Sequence, residues 1–262
     1  MNFLVLTIFP EMFLPFWEHG IIRRALEQKK ISADAVNIRD FAPDRHRVTD
    51  DRPYGGGCGM VMKPEPLAAA IRMAREKVPG ARSILLSPQG RALDQQMAGD
   101  LATLEGLILV CGRYEGVDER ICLEHIDQEI SIGDYVLTGG EVPAMIVMDA
   151  VIRLIPGVLG GQTSAAQDSF ADGLIEHAHY TRPRDFEGMA VPDILLSGNH
   201  RRIDRWRRET SLIRTFLKRR DLLAAKTLDP EDIDILEDWC RDIERIIRAQ
   251  SISGPDSSSG GQ

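Results

Sequence analysis

Three short stretches combine glycine with side chains that can bind or react: Leu86-Ser87-Pro88-Gln89-Gly90, Cys111-Gly112-Arg113-Tyr114-Glu115-Gly116 and Leu137-Thr138-Gly139-Gly140-Glu141-Val142-Pro143. Each follows an apolar run of strand length. Adjacent glycines after a strand let the backbone turn tightly or approach a ligand closely. Ligands of open α/β sheets sit beyond the carboxyl ends of the strands, so three such loops from successive strands would line one pocket. Ordinary turns have no need of tyrosine, arginine and glutamate packed around each glycine. The expected lining is rich in backbone N–H and C=O groups and poor in charge. That suits a neutral ring with a polar edge, such as adenine, better than a triphosphate. No phosphate-loop lysine and no G-x-G-x-x-G is present, which weighs against a nucleotide-dependent dehydrogenase.

The elements that must position these loops follow from hydrophobic periodicity. Apolar runs at 3–9, 83–87, 107–111 and 129–137 have strand length, and helical spacing lies over 64–78, 94–104, 117–126 and 143–155. Strands alternating with helices predict βαβ units and a mainly parallel α/β sheet. After Pro156 the pattern changes, and small and polar residues read as a linker. The chain then turns helical, with apolar residues three and four apart in 200–220 and 230–250. The final stretch, SISGPDSSSGGQ, holds too little apolar surface to bury and is expected to be disordered. The expected organisation is an α/β domain at 1–157, a flexible linker at 158–173, a helical domain at 174–250 and a tail at 251–262.

A chain of 262 residues with 43% hydrophobic and 27% charged residues is of ordinary globular composition. Cys58, Cys111, Cys122 and Cys240 have no paired spacing, so neither a zinc site nor a disulfide framework is suggested and a reducing cytoplasm fits. The apolar N-terminus lacks a basic first segment and a cleavage site, and reads as a buried strand followed by a helix. Asp149 and Arg153 interrupt the apolar stretch 144–159, which is too short to span a bilayer. The net charge of −8 argues weakly against nucleic acid as partner. Charge location matters more than the sum, and residues 201–220 carry nine Lys or Arg against Asp204 and Glu209. This stretch reads either as a solvated helix face or as a phosphate-contacting surface.

The ordered set DDRPYGGGCGM (50–60), LSPQG, LVCGRYEGVDER (109–120), SIGDYVLTGGE (131–141), IPGVLG (155–160), DSFADGL (168–174), HYTRP (179–183) and LLSGNH (195–200) closely resembles the bacterial tRNA (guanine-N1-)-methyltransferases of the SPOUT superfamily. The resemblance covers residues 1 to about 250. It implies an α/β fold with a deep trefoil knot and a small C-terminal helical domain, against the general rarity of knots. It implies S-adenosylmethionine bound in a bent form by the knotted loops, a homodimer whose sites draw on both subunits, and tRNA as substrate, methylated on the guanosine at position 37 next to the anticodon. Carried over by motif, the cofactor would touch Leu86, Ser87 and Pro88, then Gly112, Tyr114 and Gly116. It would also touch Ser131, Ile132, Gly133, Asp134, Tyr135, Val136 and Leu137, with Gly139 and Gly140.

Guanine N1 carries a proton at neutral pH, which must leave as charge develops toward O6. A carboxylate can take the proton and a cation can stabilise the charge. The resemblance assigns these roles to Asp168 and Arg153. Without it, Asp168 reads as a helix N-cap before Phe170 and Arg153 as a charge complementing a helix C-terminus. A base in a linker could become ordered only when RNA arrives, coupling chemistry to the correct substrate. His46 and Asp50, in the glycine-rich 44–57 region, would read bases beside an extruded target, and Arg113 and Glu115 would contact the guanine. Arg205 and Arg208 would contact phosphates of the anticodon stem. Trp206, spaced helically from Ile203 and Ile213, reads as core.

The chain departs from the family at Cys58, where members often carry Pro or Ala, and at Gln162 and Gln167, where relatives commonly carry Glu. The family's activity is helped by magnesium. With two carboxylates fewer, a direct protein–metal contact is in doubt, leaving Glu115 and Asp168 as candidate partners. Two other readings remain: a SPOUT methyltransferase acting on ribosomal RNA or a ribose hydroxyl, and a non-catalytic RNA-binding protein. The DDRPYGGG and QDSF motifs disfavour the first, and retention of both Arg153 and Asp168 disfavours the second.

Overall fold

The structure is a computed structural model that describes residues 1–160 and 168–251. Gln162, Gln167 and nearly all of the expected tail therefore lie outside the described residues. The chain divides into two compact units, Met1–Ala165 and Ala166–Gln262.

The first unit runs β1 (Asn2–Thr7), a 3-10 turn, α1 (Leu14–Trp17), α2 (Gly20–Glu27), β2 (Ser32–Asn37), β3 (Asp50–Asp51), β4 (Val61–Met62), α3 (Pro64–Lys77), β5 (Arg82–Ala92), α4 (Gln95–Ala102), β6 (Gly106–Cys111), α5 (Glu119–His125), β7 (Gln128–Ser131) and α6 (Glu141–Ile152). Five strands form one parallel sheet in the order β2-β1-β6-β5-β7. Both faces are covered. Phe3, Val5, Ile84, Leu86, Leu107 and Leu109 meet α2, α4 and α6 on one side. Leu4, Leu6, Leu85, Ile108 and Val110 meet α3 and α5 on the other. Successive side chains of a strand point to opposite faces, so burial of both faces makes the strand sequences continuously apolar. Asp94 and Asp118 start α4 and α5 by accepting from the backbone N–H of Met97 and Arg120 at 2.7 and 3.0 Å.

Three elements differ from the sequence expectation. The edge strand β2, sequence SADAVN, carries no apolar run, because it pairs on one side only and is partly exposed. The fourth expected strand, 129–137, stops at Ser131, and residues beyond it form a loop. Its alternating Tyr135 and Val136 imitate a strand pattern but are exposed, not packed. The second expected strand continues past Leu86 to Ala92 through an irregularity: Leu86 and Arg91 both register against Ile130. Residues 87–90 are thus pushed out of the sheet as an excursion within β5.

The second unit holds a two-stranded pair, β8 (Asp185–Phe186) with β9 (Met189–Ala190), then α7 (Asp193–Leu196), α8 (His200–Lys218), α9 (Arg220–Ala225) and α10 (Pro230–Ser251). Its buried core is small, built on Leu174, Leu212 and Ile235. Of the expected linker 158–173, Val158 is buried in the core of the first unit. Residues 168–173 form a turn in which the Ala171 N–H donates to the Asp168 carbonyl at 3.2 Å. No helix follows Asp168 there, so the N-cap reading does not apply.

Candidate active site

The three glycine loops come together at the carboxyl ends of β5, β6 and β7. Ser87, Pro88 and Gln89 of the excursion and the turn 112–116 line a cleft of about 260 Å³, which residues 136–139 close from a third side. A smaller hollow of about 70 Å³ shares Leu86, Ser87, Pro88 and Leu137 with that cleft and extends to Ser131, Ile132, Gly133 and Tyr135. Of the residues expected to hold a cofactor, Gly112, Tyr114 and Gly116 line the larger space, and Leu86, Ser87, Pro88, Val136, Leu137 and Gly139 line both. Asp134 and Gly140 line neither.

Local hydrogen bonds shape the walls. Ser131 Oγ donates to the Gly133 carbonyl at 3.1 Å and accepts from the Gly133 N–H at 3.2 Å. Tyr135 Oη donates to the Ile132 carbonyl at 3.1 Å, folding the loop over itself. Tyr114 holds a left-handed backbone, φ 61°, at the tip of the second loop. Gly140 lies under the pocket: its N–H donates to the Gly112 carbonyl at 2.9 Å, and a Cβ there would stand 2.7 Å from Cys111 Cα. Gly140→Ala should therefore cost about 1–3 kcal/mol, because backbone has to move apart to admit the methyl group. Thermal unfolding checks this, and an unchanged melting temperature would refute the close approach.

The lining is more charged than its composition suggested. Glu115, Glu119, Glu129 and Arg113 all border the larger space. Glu119 closes the 109–120 motif and Glu129 opens the expected strand 129–137, yet neither was assigned to the pocket because each belongs to α5 or β7 and not to a glycine turn. Beneath the pocket, burial, reinforced by the nearby charge of Glu141, pushes the Cys111 thiol well above its ordinary range, so Cys111 is a neutral apolar contact.

The residues expected to read RNA fall into separate groups. Asp50 pairs with Met62 across β3 and β4, and Met62 in turn donates its N–H to the Gly116 carbonyl at 2.9 Å. The glycine-rich 50–60 region is thereby tied to the rim of the cleft. His46 is exposed in a turn where its N–H donates to Asp44 at 2.8 Å. Arg113 Nε donates to the buried Glu141 at 2.9 Å. Arg153 caps the C-terminus of α6.

In the second unit, Asp168 borders a separate cavity of about 290 Å³ with Asp172, Glu176, His177, Asp204 and Arg207. Burial, with His179 and Arg207 close by, lowers the His177 pKa, so this imidazole is neutral at pH 7. Arg208 is not presented on an open helix face. It donates to the fully buried Asp232 at 2.5 and 2.7 Å and also to Asp172. Arg205 is exposed and bridges Glu209 and Asp238 at 3.0 and 3.2 Å. Arg207 and Arg219 pair with Asp204 and Asp221. Much of the basic stretch is thus neutralised within the unit, partly by Asp204 and Glu209 of its own window and partly by Asp172, Asp221, Asp232 and Asp238 outside it. Trp206 is only half-buried, with its ring 6.3 Å from that of Tyr180. Among the described residues no group of three His, Cys, Asp or Glu is placed to hold a metal ion, and no helix is long and apolar enough to cross a membrane.

A parallel α/β sheet with a ligand cleft built from the loops after three of its strands defines the class of this chain: a protein that holds its ligand against backbone at strand ends. Within that class the chain belongs to the tRNA (Guanine-1)-methyltransferase TrmD family, whose family model matches residues 1–225. Curated relatives agree. It is 58% identical over 259 residues to a tRNA (guanine-N(1)-)-methyltransferase of Desulfatibacillum aliphaticivorans, covering 99% of each chain. It is 55% identical over 245 residues to the protein of that name in Methylococcus capsulatus, covering 93% of this chain and 98% of the relative.

Proposed function

We propose that this chain transfers a methyl group from S-adenosylmethionine to N1 of the guanosine at position 37 of tRNA. Methylation of tRNA guanine at N1 is the activity named for the family to which it belongs. The observation that carries the reading is the convergence of the 86–89, 112–116 and 131–139 loops on one cleft and the hollow adjoining it. The residues present fit the donor. Leu86, Pro88, Val136 and Leu137 provide apolar contact for a ring, and Glu115, Glu119 and Glu129 favour a positive centre.

When bound, the donor supplies an electrophilic methyl carbon on a sulfonium, which leaves as a neutral thioether. The chain's own residues do the rest. Asp168 takes the N1 proton, so that the nitrogen lone pair can form the N–C bond as the C–S bond breaks. Arg153 holds the negative charge that develops on O6. Holding nucleophile and methyl group in line supplies much of the acceleration. His46 and Asp50 read the bases beside the target, Glu115 faces the guanine, and Arg205 meets the anticodon-stem phosphates.

The family resemblance supports a deep trefoil knot in the first unit, a second unit that binds tRNA, and a homodimer. Met12, Leu14, Ile21, Val142 and Ile146 sit on elements packed against one face of the sheet and remain well exposed, as a face awaiting a second copy would be. A cytoplasmic location fits these assignments.

The test is methyl transfer from labelled S-adenosylmethionine to two unmodified tRNA transcripts, one with guanosine and one with adenosine at position 37. Label on the first alone is expected. Label on neither, with donor binding intact, would move the target to another RNA.

A further inference from the structure

The most buried carboxylate in the first unit has no part in the mechanism above. Glu141 opens α6 and is 1% exposed. Both its oxygens are engaged. Thr7 Oγ1, at the end of β1, donates to Oε1 at 2.7 Å, and Arg113 Nε donates to Oε2 at 2.9 Å. The Thr7 hydroxyl is itself oriented, because its oxygen accepts the Phe9 N–H at 3.0 Å.

Arg113 reaches further. Its Nη1 donates to the Thr138 carbonyl at 3.2 Å, and its guanidinium lies over the Phe9 ring at 4.7 Å. Its backbone forms an isolated antiparallel bridge with Gly139. The glycine is required by this arrangement, since a Cβ on Gly139 would stand 2.2 Å from Arg113 Nε. One buried carboxylate thus joins the end of β1, the 112–116 turn and the 137–140 loop. The last two are walls of the cleft.

We propose that Glu141 and Arg113 are positioning residues, a clamp that holds the 137–140 loop closed against the 112–116 turn before the methyl donor arrives. The proposal rests on reading the cleft as the donor site. It gives Arg113 a role different from contact with the guanine. Hydrogen bonds to a buried charge are strong and directional in a low-dielectric setting, so they can fix one loop conformation. A loop that is closed only part of the time weakens ligand binding in proportion to its closed fraction. Loosening the clamp should therefore raise the dissociation constant for the donor, and its KM, far more than it lowers kcat at saturating donor.

Donor binding by calorimetry, donor KM, kcat and melting temperature should be measured for the unaltered chain and for Glu141→Gln, Arg113→Met and the double variant Glu141→Leu/Arg113→Met. Each single variant is expected to weaken donor binding tenfold or more and to lower the melting temperature. The double variant buries no unpaired charge, so its melting temperature should recover, as apolar replacement of a buried ion pair often allows. Its donor affinity should stay weak, because the Thr138 carbonyl still lacks its donor. Glu141→Gln affinity within twofold of the unaltered chain would overturn the clamp, as would a double variant in which stability and affinity recover together. Absence of donor binding by the unaltered chain would overturn the donor site itself, and the clamp with it.

Discussion

Asp168→Asn should lower single-turnover methyl transfer by about 10²–10⁴-fold, the usual range for loss of a general base. Donor affinity should stay within twofold, because Asp168 lies in the second unit while the donor cleft is built from the first. The substitution keeps size and shape but removes the ability to accept a full proton. The guanine N1 proton then has to leave to water as the N–C bond forms. Single-turnover kinetics with labelled donor, beside calorimetry of donor binding, separates the two effects. Turnover near that of the unaltered chain would remove Asp168 as the base. Arg153→Ala should slow the same step with donor affinity kept, since a cation at O6 acts on charge that develops only as N1 loses its proton.

Arg208→Ala should unfold the second unit instead of merely weakening its hold on RNA. Among the described residues Arg208 is the one cation paired with the fully buried Asp232, and it also binds Asp172 and lies 3.7 Å from Asp229. Removing it strands a carboxylate in the interior at a cost of about 3–5 kcal/mol. The core of this unit, centred on Leu174, Leu212 and Ile235, is too small to absorb such a loss easily. Amide hydrogen exchange should show lost protection over 200–250 with the sheet still protected, and retained protection there would return Arg208 to the RNA surface. Arg205→Glu breaks only exposed pairs. It should weaken tRNA binding and flatten its salt dependence while the unit stays folded.

The same network makes the second unit sensitive to acid. Burial raises the Asp172 pKa, but hydrogen bonding and charge from Arg208 outweigh this and hold it below the ordinary carboxylate value. A depressed carboxylate contributes stability above its unfolded pKa and loses it as pH falls through its folded pKa. His177 adds to the effect, since its lowered pKa means that protonation favours the unfolded chain once pH falls below about 6.5. Melting of this unit should therefore move to lower temperature in two stages, first below pH 6.5 and again below pH 4. Circular dichroism against temperature and pH tests this directly.

The parallel sheet was legible in the sequence because its strands are buried on both faces. Phe3 through Leu6 and Leu107 through Cys111 have no polar side to hide, so a run of apolar residues could only be a central strand. The glycine loops were legible because three of them follow successive strands, where a single one could be an ordinary turn, and the ordered motifs carried the family with them. The edge strand β2 was not legible, because a strand paired on one side needs no apolar run. The end of β7 was misjudged because alternation in SIGDYVL has the period of a strand whether or not a neighbour exists to pair with it.

By itself the sequence determined the α/β class, the family and the three glycine loops that line the cleft, since these depend on local periodicity and on motif order. Only the tertiary structure decided what the charges do. Glu141 meets Thr7, distant by 134 positions, and Arg208 meets Asp232, distant by 24. A charged residue has the same letter whether it faces water, an RNA phosphate or a buried partner. Which of these it faces is set by the desolvation and pairing that the folded chain imposes.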